Sequence, residues 1–237
     1  MKNIIAYFLP VTSLFVILLA AGGCRNEVDI DLDKGFSSQI QQIVPQSIID
    51  SLRNKGMVIN EGLVPPRIDN IYFVDENILQ VPYGPDDYYK SGALFLSYYY
   101  RFYDQDATGN IKYDFSTDNK RDYGVGKGAF ISGNGNKFTI FSEQIGVTDN
   151  IPNKQLTVIS GELTDEGIIG WQNSFIITDK TGDPEDKIVI AVGKGRIFTD
   201  GDGLATKTIY YPQAIDPEVK TARINATDRI PTMLSAK

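Results

Sequence analysis

The sequence has no histidine among its 237 residues, and it has only one cysteine. The first absence removes Ser-His-Asp and Cys-His catalysis, which need an imidazole to carry the proton. Together the two absences remove zinc sites built on imidazole or thiolate. A lone cysteine cannot form an intramolecular disulfide, so the core must come from apolar burial alone. Positive charge is also in short supply, with 23 Lys and Arg against 30 Asp and Glu. That balance excludes nucleic acid as an expected partner, because neutralising phosphates needs a basic face. It argues equally against a basic patch that grips anionic lipid head groups. Any catalysis would run on carboxylates, Lys, Tyr or a bound cofactor, and no motif calls for a cofactor or a metal.

The N-terminus carries the clearest signal. Lys2 is followed by an almost wholly apolar, uncharged stretch over residues 4–21, interrupted by Pro10. Ala20, Ala21, Gly22 and Gly23 then lead directly into Cys24. A charged start, an apolar core and a small-residue exit describe a secretory signal peptide, expected over residues 1–23. As an uncleaved membrane anchor the stretch would be near the lower length limit, and it holds a proline. Small residues followed at once by cysteine resemble the lipobox of bacterial lipoproteins, with Ala21 where Leu is usual. The resemblance implies cleavage before Cys24 and lipid on its thiol. It also implies a mature chain tethered to the cell outer membrane, facing the periplasm or the surface. Residues 24–36 alternate acidic with aliphatic side chains and read as a solvated tether. Their acidic residues also resemble surface-export signals of Bacteroidota lipoproteins.

From Ser38 the spacing turns helical, with Ile40, Ile43, Val44, Ile48, Ile49 and Leu52 on one face. Pro45 predicts a kink or two short helices, and could occupy the first turn of the second. Lys55 and Gly56 look like a C-terminal stop. After the connector Val64, Pro65, Pro66 and Arg67 the apolar period changes to two. Strands are expected at 71–74, 78–81, 94–103, 111–116, 123–131, 137–145, 155–164, 168–178, 187–198 and 206–211. The turn Ser132-Gly133-Asn134-Gly135-Asn136 is the strongest of the hairpin signals between them. The reading is an all-β, antiparallel up-and-down meander after a short N-terminal helix, forming a single domain over 37–211. A polar tail over 212–237 follows. Such a meander closes into a barrel or folds into a sandwich. Alternating glycines at 124, 126 and 128, and at 193 and 195, favour the barrel.

Cys24, Leu52, Gly56, Gly62, Pro65, Pro66, Tyr72, Ile131-Ser132-Gly133 and Phe138 make the order of elements similar to lipoproteins of gut Bacteroidales. A helix, an aromatic-bearing first strand and an up-and-down meander also resemble calycin (lipocalin-like) barrels. Asn70-Ile71-Tyr72 stands where true lipocalins carry Gly-x-Trp. These resemblances imply fold and location, and no activity.

Candidate sites are few. On the 94–103 strand the even positions are apolar and expected in the core, while Tyr99, Arg101 and Tyr103 share the odd face. Tyr beside Arg could stack on sugar rings and bond their hydroxyls, although Tyr is also simply a good strand residue. Trp171, on the face read to carry Ile169, Asn173 and Phe175, is either a binding platform or core. The run from Asp104 to Asn110 begins like a calcium loop but has Phe115 where a bidentate Glu belongs, so it reads as a turn. Gly124-Val125-Gly126-Lys127-Gly128 lacks phosphate-loop spacing. Asp86, Asp87, Glu143 and Glu162 are the carboxylates from which a glycoside-cleaving pair could come. Two functions follow: a membrane-anchored, non-catalytic β domain that binds a small molecule or plays a structural role, or a carboxylate-dependent glycan-active enzyme or carbohydrate-binding protein of the envelope.

Overall fold

A computed structural model describes residues 35–212. Cys24, the signal segment, most of the acidic tether and the 213–237 tail lie outside the described residues. Two short helices come first, α1 (Ser38–Ile43) and α2 (Gln46–Asn54). Pro45 is the cap residue of the second, so its missing N–H falls where no helical partner was required. Gly56, at φ +88°, ends it.

Eleven strands follow in the described residues. They are β1 (Leu63–Val64), β2 (Asn70–Val74), β3 (Asn77–Val81), β4 (Tyr98–Tyr103), β5 (Asn110–Thr117) and β6 (Asp122–Asn134), then β7 (Lys137–Thr148), β8 (Ile151–Leu163), β9 (Gly167–Lys180), β10 (Gly195–Asp200) and β11 (Leu204–Thr208). Eight of them, β2, β4 to β9 and β11, close into an antiparallel barrel compatible with a calycin-like fold. β11 is the closing piece. It lies between β2 and the first residues of β9, with Lys207 opposite Tyr72 and Ala205 opposite Ile168. Beyond those residues β9 pairs instead with β10, which pairs with β3. These two strands form a flap on the barrel wall.

Inward positions alternate along each strand as a pleated sheet requires. Tyr100 and Phe102 of β4 meet Tyr113 and Phe115 of β5 in the inner core, as expected for these even positions. Leu94 and Leu96, expected there too, are exposed because residues 94–97 lie outside the barrel ladder. The glycines of β6 explain how so many rings fit. A Cβ on Gly126 would sit 2.2 Å from the Tyr113 ring, and one on Gly124 would sit 2.6 Å from that of Phe115. Both rings therefore lie against bare backbone. Gly170, at φ +61°, interrupts β9 and resets its alternation, so that Ile168 and Trp171 both point inward. This corrects the expectation for Ile169, which is exposed and does not share the face of Trp171.

A second core lies outside the barrel. Ile40, Val44, Ile49, Leu52 and Met57 pack on Phe141, Val158 and Ile197, the outward residues of β7, β8 and β10. Phe36 meets Phe141 edge-on at 5.3 Å. The helices thus cover one flank of the wall.

Two expected strands are shorter than their patterns. Residues 94–97 make only an isolated bridge, Leu94 to Ile78, before β4 begins. Their backbone hugs the edge of β3, with Phe95 N–H donating to the Asn77 carbonyl at 2.9 Å. Residues 187–194 form a loop because the N–H groups of Lys187, Ile188 and Val189 donate to the Asp183 carboxylate, at 2.9–3.2 Å, instead of to a strand.

Candidate ligand-binding site

Ladder register puts Tyr98, Asp122, Thr148 and Lys180 at one end of the barrel, and Tyr103, Asn134, Lys137 and Gly167 at the other. The second end is filled. Ile68, Phe102, Ile111, Ile131, Phe138 and Ile168 occupy it, none more than 4% exposed. Trp171 caps this packing from the middle of the barrel, 4.9 Å from the ring of Tyr100. Above Tyr100 the barrel is open, and a cavity of about 510 Å³ runs to its mouth. Small-molecule pockets are typically of ~300–1,000 Å³.

The cavity has a polar floor. The Tyr113 hydroxyl bonds the Ser142 hydroxyl at 2.7 Å and donates to the Gln144 side-chain oxygen at 3.1 Å, which also accepts from Thr157 at 3.3 Å. Gln144, Asn153, Gln155 and Asn173 present amides from three adjacent strands. One wall is Tyr98, Tyr100 and Phe115, with ring centroids 5.8–6.2 Å apart. The facing wall is Phe175, Phe198, Phe95 and Tyr89, linked in series at 4.8–6.0 Å.

Two loops frame the mouth, and each is organised by a buried aspartate. Asp87 accepts a fork from Arg196, at 2.9 and 2.6 Å, and the N–H groups of Tyr83 and Tyr89 at 3.0 and 3.1 Å. Burial pushes its pKa up, but the Arg196 hydrogen bonds and those backbone donors outweigh burial and hold it below the usual range. The Arg196 guanidinium lies 5.3–5.7 Å from the rings of Tyr83, Tyr89 and Phe95. In the other loop Asp183 takes an ion pair from Lys180 at 3.1 Å besides its backbone donors. Burial opposes its charge, yet these donors lower its pKa to about 2. The ordering brings Ile188, Val189 and Ile190 to the cavity.

Asp122 differs from both. It lines the cavity from the first position of β6 and accepts from the Tyr98 hydroxyl at 2.6 Å and the Thr148 hydroxyl at 3.1 Å. Burial raises its pKa to about 6, against the pull of those two bonds, and the Asp149 carboxylate raises it further. Arg121, the nearest residue in sequence that could offset it, is forked onto Asp149 at 2.5 and 2.7 Å. The Tyr98 and Tyr100 hydroxyls are pushed well above their usual range, chiefly by burial, and stay protonated.

No family model matches the chain, and no curated protein or solved structure matches it either.

The residues singled out from sequence do not converge. Tyr99, Arg101 and Tyr103 lie on the outer face of the barrel, where their groups are engaged by the chain itself. Tyr99 stacks on Phe73 at 4.4 Å and meets Tyr210 at 5.2 Å. Arg101 forks onto Asp114 and lies 5.5 Å from the Tyr103 ring and 4.7 Å from that of Tyr211. Trp171 is inside, fully buried, beneath the cavity. Of the four carboxylates named for glycan cleavage, Asp87 is paired with Arg196, and none is among the cavity's lining residues. Sequence reasoning missed Asp122, Gln144, Asn153 and Arg196. Asp122 had a readable signal, since it stands at the start of the glycine-bearing strand and shares its alternation with Gly124 and Gly126.

Proposed function

We propose that this chain is a lipid-anchored envelope protein whose barrel binds a small molecule in its open end, without catalysis. The cavity carries the reading. It combines two aromatic walls with convergent amides in one half of a barrel whose other half is packed solid. That is the composition of recognition sites, in which apolar surface supplies affinity and a few placed polar groups supply orientation. The anchor rests on Cys24 and the segment before it, where small residues precede the chain's only cysteine. A tether there would hold the barrel at the outer membrane.

Two measurements test the two halves. Metabolic labelling with a palmitate analogue should mark the chain and fail to mark Cys24→Ser; equal labelling would remove the anchor. A thermal-shift screen against small amines, aryl alcohols, sugars and fatty acids should show compounds that raise the melting temperature, because anything binding only the folded state stabilises it. A flat screen would leave the barrel with structural roles alone.

A further inference from the structure

We propose that the ligand is an organic cation, an amine whose ammonium pairs with the Asp122 carboxylate while its apolar body lies against the rings of Tyr98, Tyr100 and Phe115. This rests on the cavity being a ligand site and names the chemical class it takes.

Charge matching in the open half of the barrel points to that class. Three carboxylates and two guanidinium groups stand in or behind the walls. Arg196 is forked onto Asp87 and Arg121 onto Asp149. Each arginine is thereby matched, which leaves Asp122 with hydroxyl donors only. Asp122 is half-buried at the cavity mouth, and a carboxylate partly withdrawn from water gains most from a cation that meets it. An ammonium entering the mouth would supply that cation, and it would bring its own hydrogen-bond donors.

The rings beside Asp122 favour the same ligand. Tyr98 touches it directly, and Tyr100 and Phe115 lie within 6.2 Å of Tyr98 by ring centroid. Aromatic faces attract cations through their quadrupole, most strongly where water is excluded. An anion would meet Asp122 with both arginines already occupied. A neutral sugar would leave the Asp122 charge unmatched. The amides of Gln144 and Asn173, deeper along the cavity, could bond a polar group at the far end of the ligand.

The same geometry sets a pH dependence. The groups around Asp122 are Tyr98 and Tyr100 from β4, Thr148 and Asp149 at the end of β7, and Arg121 beside it. The tyrosines stay neutral over the accessible range, and Arg121 is forked onto Asp149. Asp122 is therefore the group that titrates, near pH 6. Amine binding should weaken as pH falls through that value.

The test uses the full chain in detergent and three probes of one shape: 2-phenylethylamine, 2-phenylethanol and 3-phenylpropanoate. Trp171, the only tryptophan, lies under the cavity and reports binding by its fluorescence. At about pH 7.5 the amine should bind at least about tenfold tighter than the alcohol, with the carboxylate weakest. Asp122→Asn should erase that preference and keep the alcohol's affinity. The pH profile of the unaltered chain provides an arm that needs no variant, with amine affinity falling toward pH 5 and alcohol affinity flat. Equal binding of amine and alcohol, or tighter binding of the carboxylate, overturns the cation assignment and leaves the cavity a ligand site. Failure of all three probes to bind overturns the cation assignment, while the ligand-site reading falls only if the thermal-shift screen is flat as well.

Discussion

The two ends of the barrel share eight strands and differ in what the inward positions carry. At the closed end, inward residues are branched aliphatics and rings, with Phe138 and Ile168 fully buried. At the open end the same strands turn inward Gln144, Asn153, Thr157, Asn173 and Asp122, and the space between them is left unfilled. A strand such as β7 passes from Phe138 and Ile140 to Ser142 and Gln144 within one continuous ladder. Stability and recognition are thus separated along the barrel axis, and a change at one end need not disturb the other.

The largest expected effect lies at the closed end and in the loop clamp. Phe138→Ala should cost about 3–5 kcal/mol, the loss of a buried ring plus the cavity it leaves. Phe175→Ala, on the cavity wall, should cost clearly less in the same urea titration; equal costs would mean the two ends are packed alike. Asp87→Ala should cost about 3 kcal/mol by stranding the Arg196 guanidinium among aromatic rings. Its effect should extend to ligand affinity, since the mouth loop is built on that pair. Gly126→Ala should cost about 1–3 kcal/mol, because the Tyr113 ring has no room to retreat.

A smaller effect has the opposite sign. The folded-state pKa of Asp122, about 6, stands above its ordinary 3.8. Its stabilising contribution is therefore complete below the ordinary value and lost as pH rises through about 6. Asp122→Asn should raise stability by about 1–2 kcal/mol near pH 8 and change little near pH 4. Thermal melts at the two pH values check this, and a stabilisation that persists at the acid end would show that the charge was not the cause. Smallest of all, Tyr99→Ala should cost about 1 kcal/mol or less and leave cavity binding unchanged. A loss of binding there would return the outer tyrosine face to consideration.

Much of the fold was legible from period and punctuation. The two-residue alternation gave the barrel strands, Pro45 gave the break between the helices, and the glycines of β6 gave closure. The misreadings have local causes. Residues 187–194 carry a strand-like pattern, but the Asp183 carboxylate captures the N–H groups that a ladder would need. Ile169 reads onto the face of Trp171 because a left-handed Gly170 cannot be told from an ordinary strand glycine by spacing. The site was the least legible part. Its polar residues come from β6, β7, β8 and β9, and each alone looks like the polar half of an amphipathic strand. Only the register shows that Gln144, Asn153 and Asn173 face a common space, and only three-dimensional pairing shows that Arg121 and Arg196 are taken.

β11 has consequences for the order in which the molecule can form. Hairpins from β5 to β9 join neighbours in the chain and can assemble as they emerge. β2 cannot complete its place until Leu204–Thr208 exists to lie beside it, with Lys207 opposite Tyr72. Contacts so distant in sequence are slow to form, since the whole intervening chain must be organised first. Until then both β2 and the start of β9 expose unpaired edges, which invite association with other chains. A chain halted before Leu204 would carry nearly every strand and still lack a closed interior. The last few residues of the domain therefore decide when the cavity comes into being.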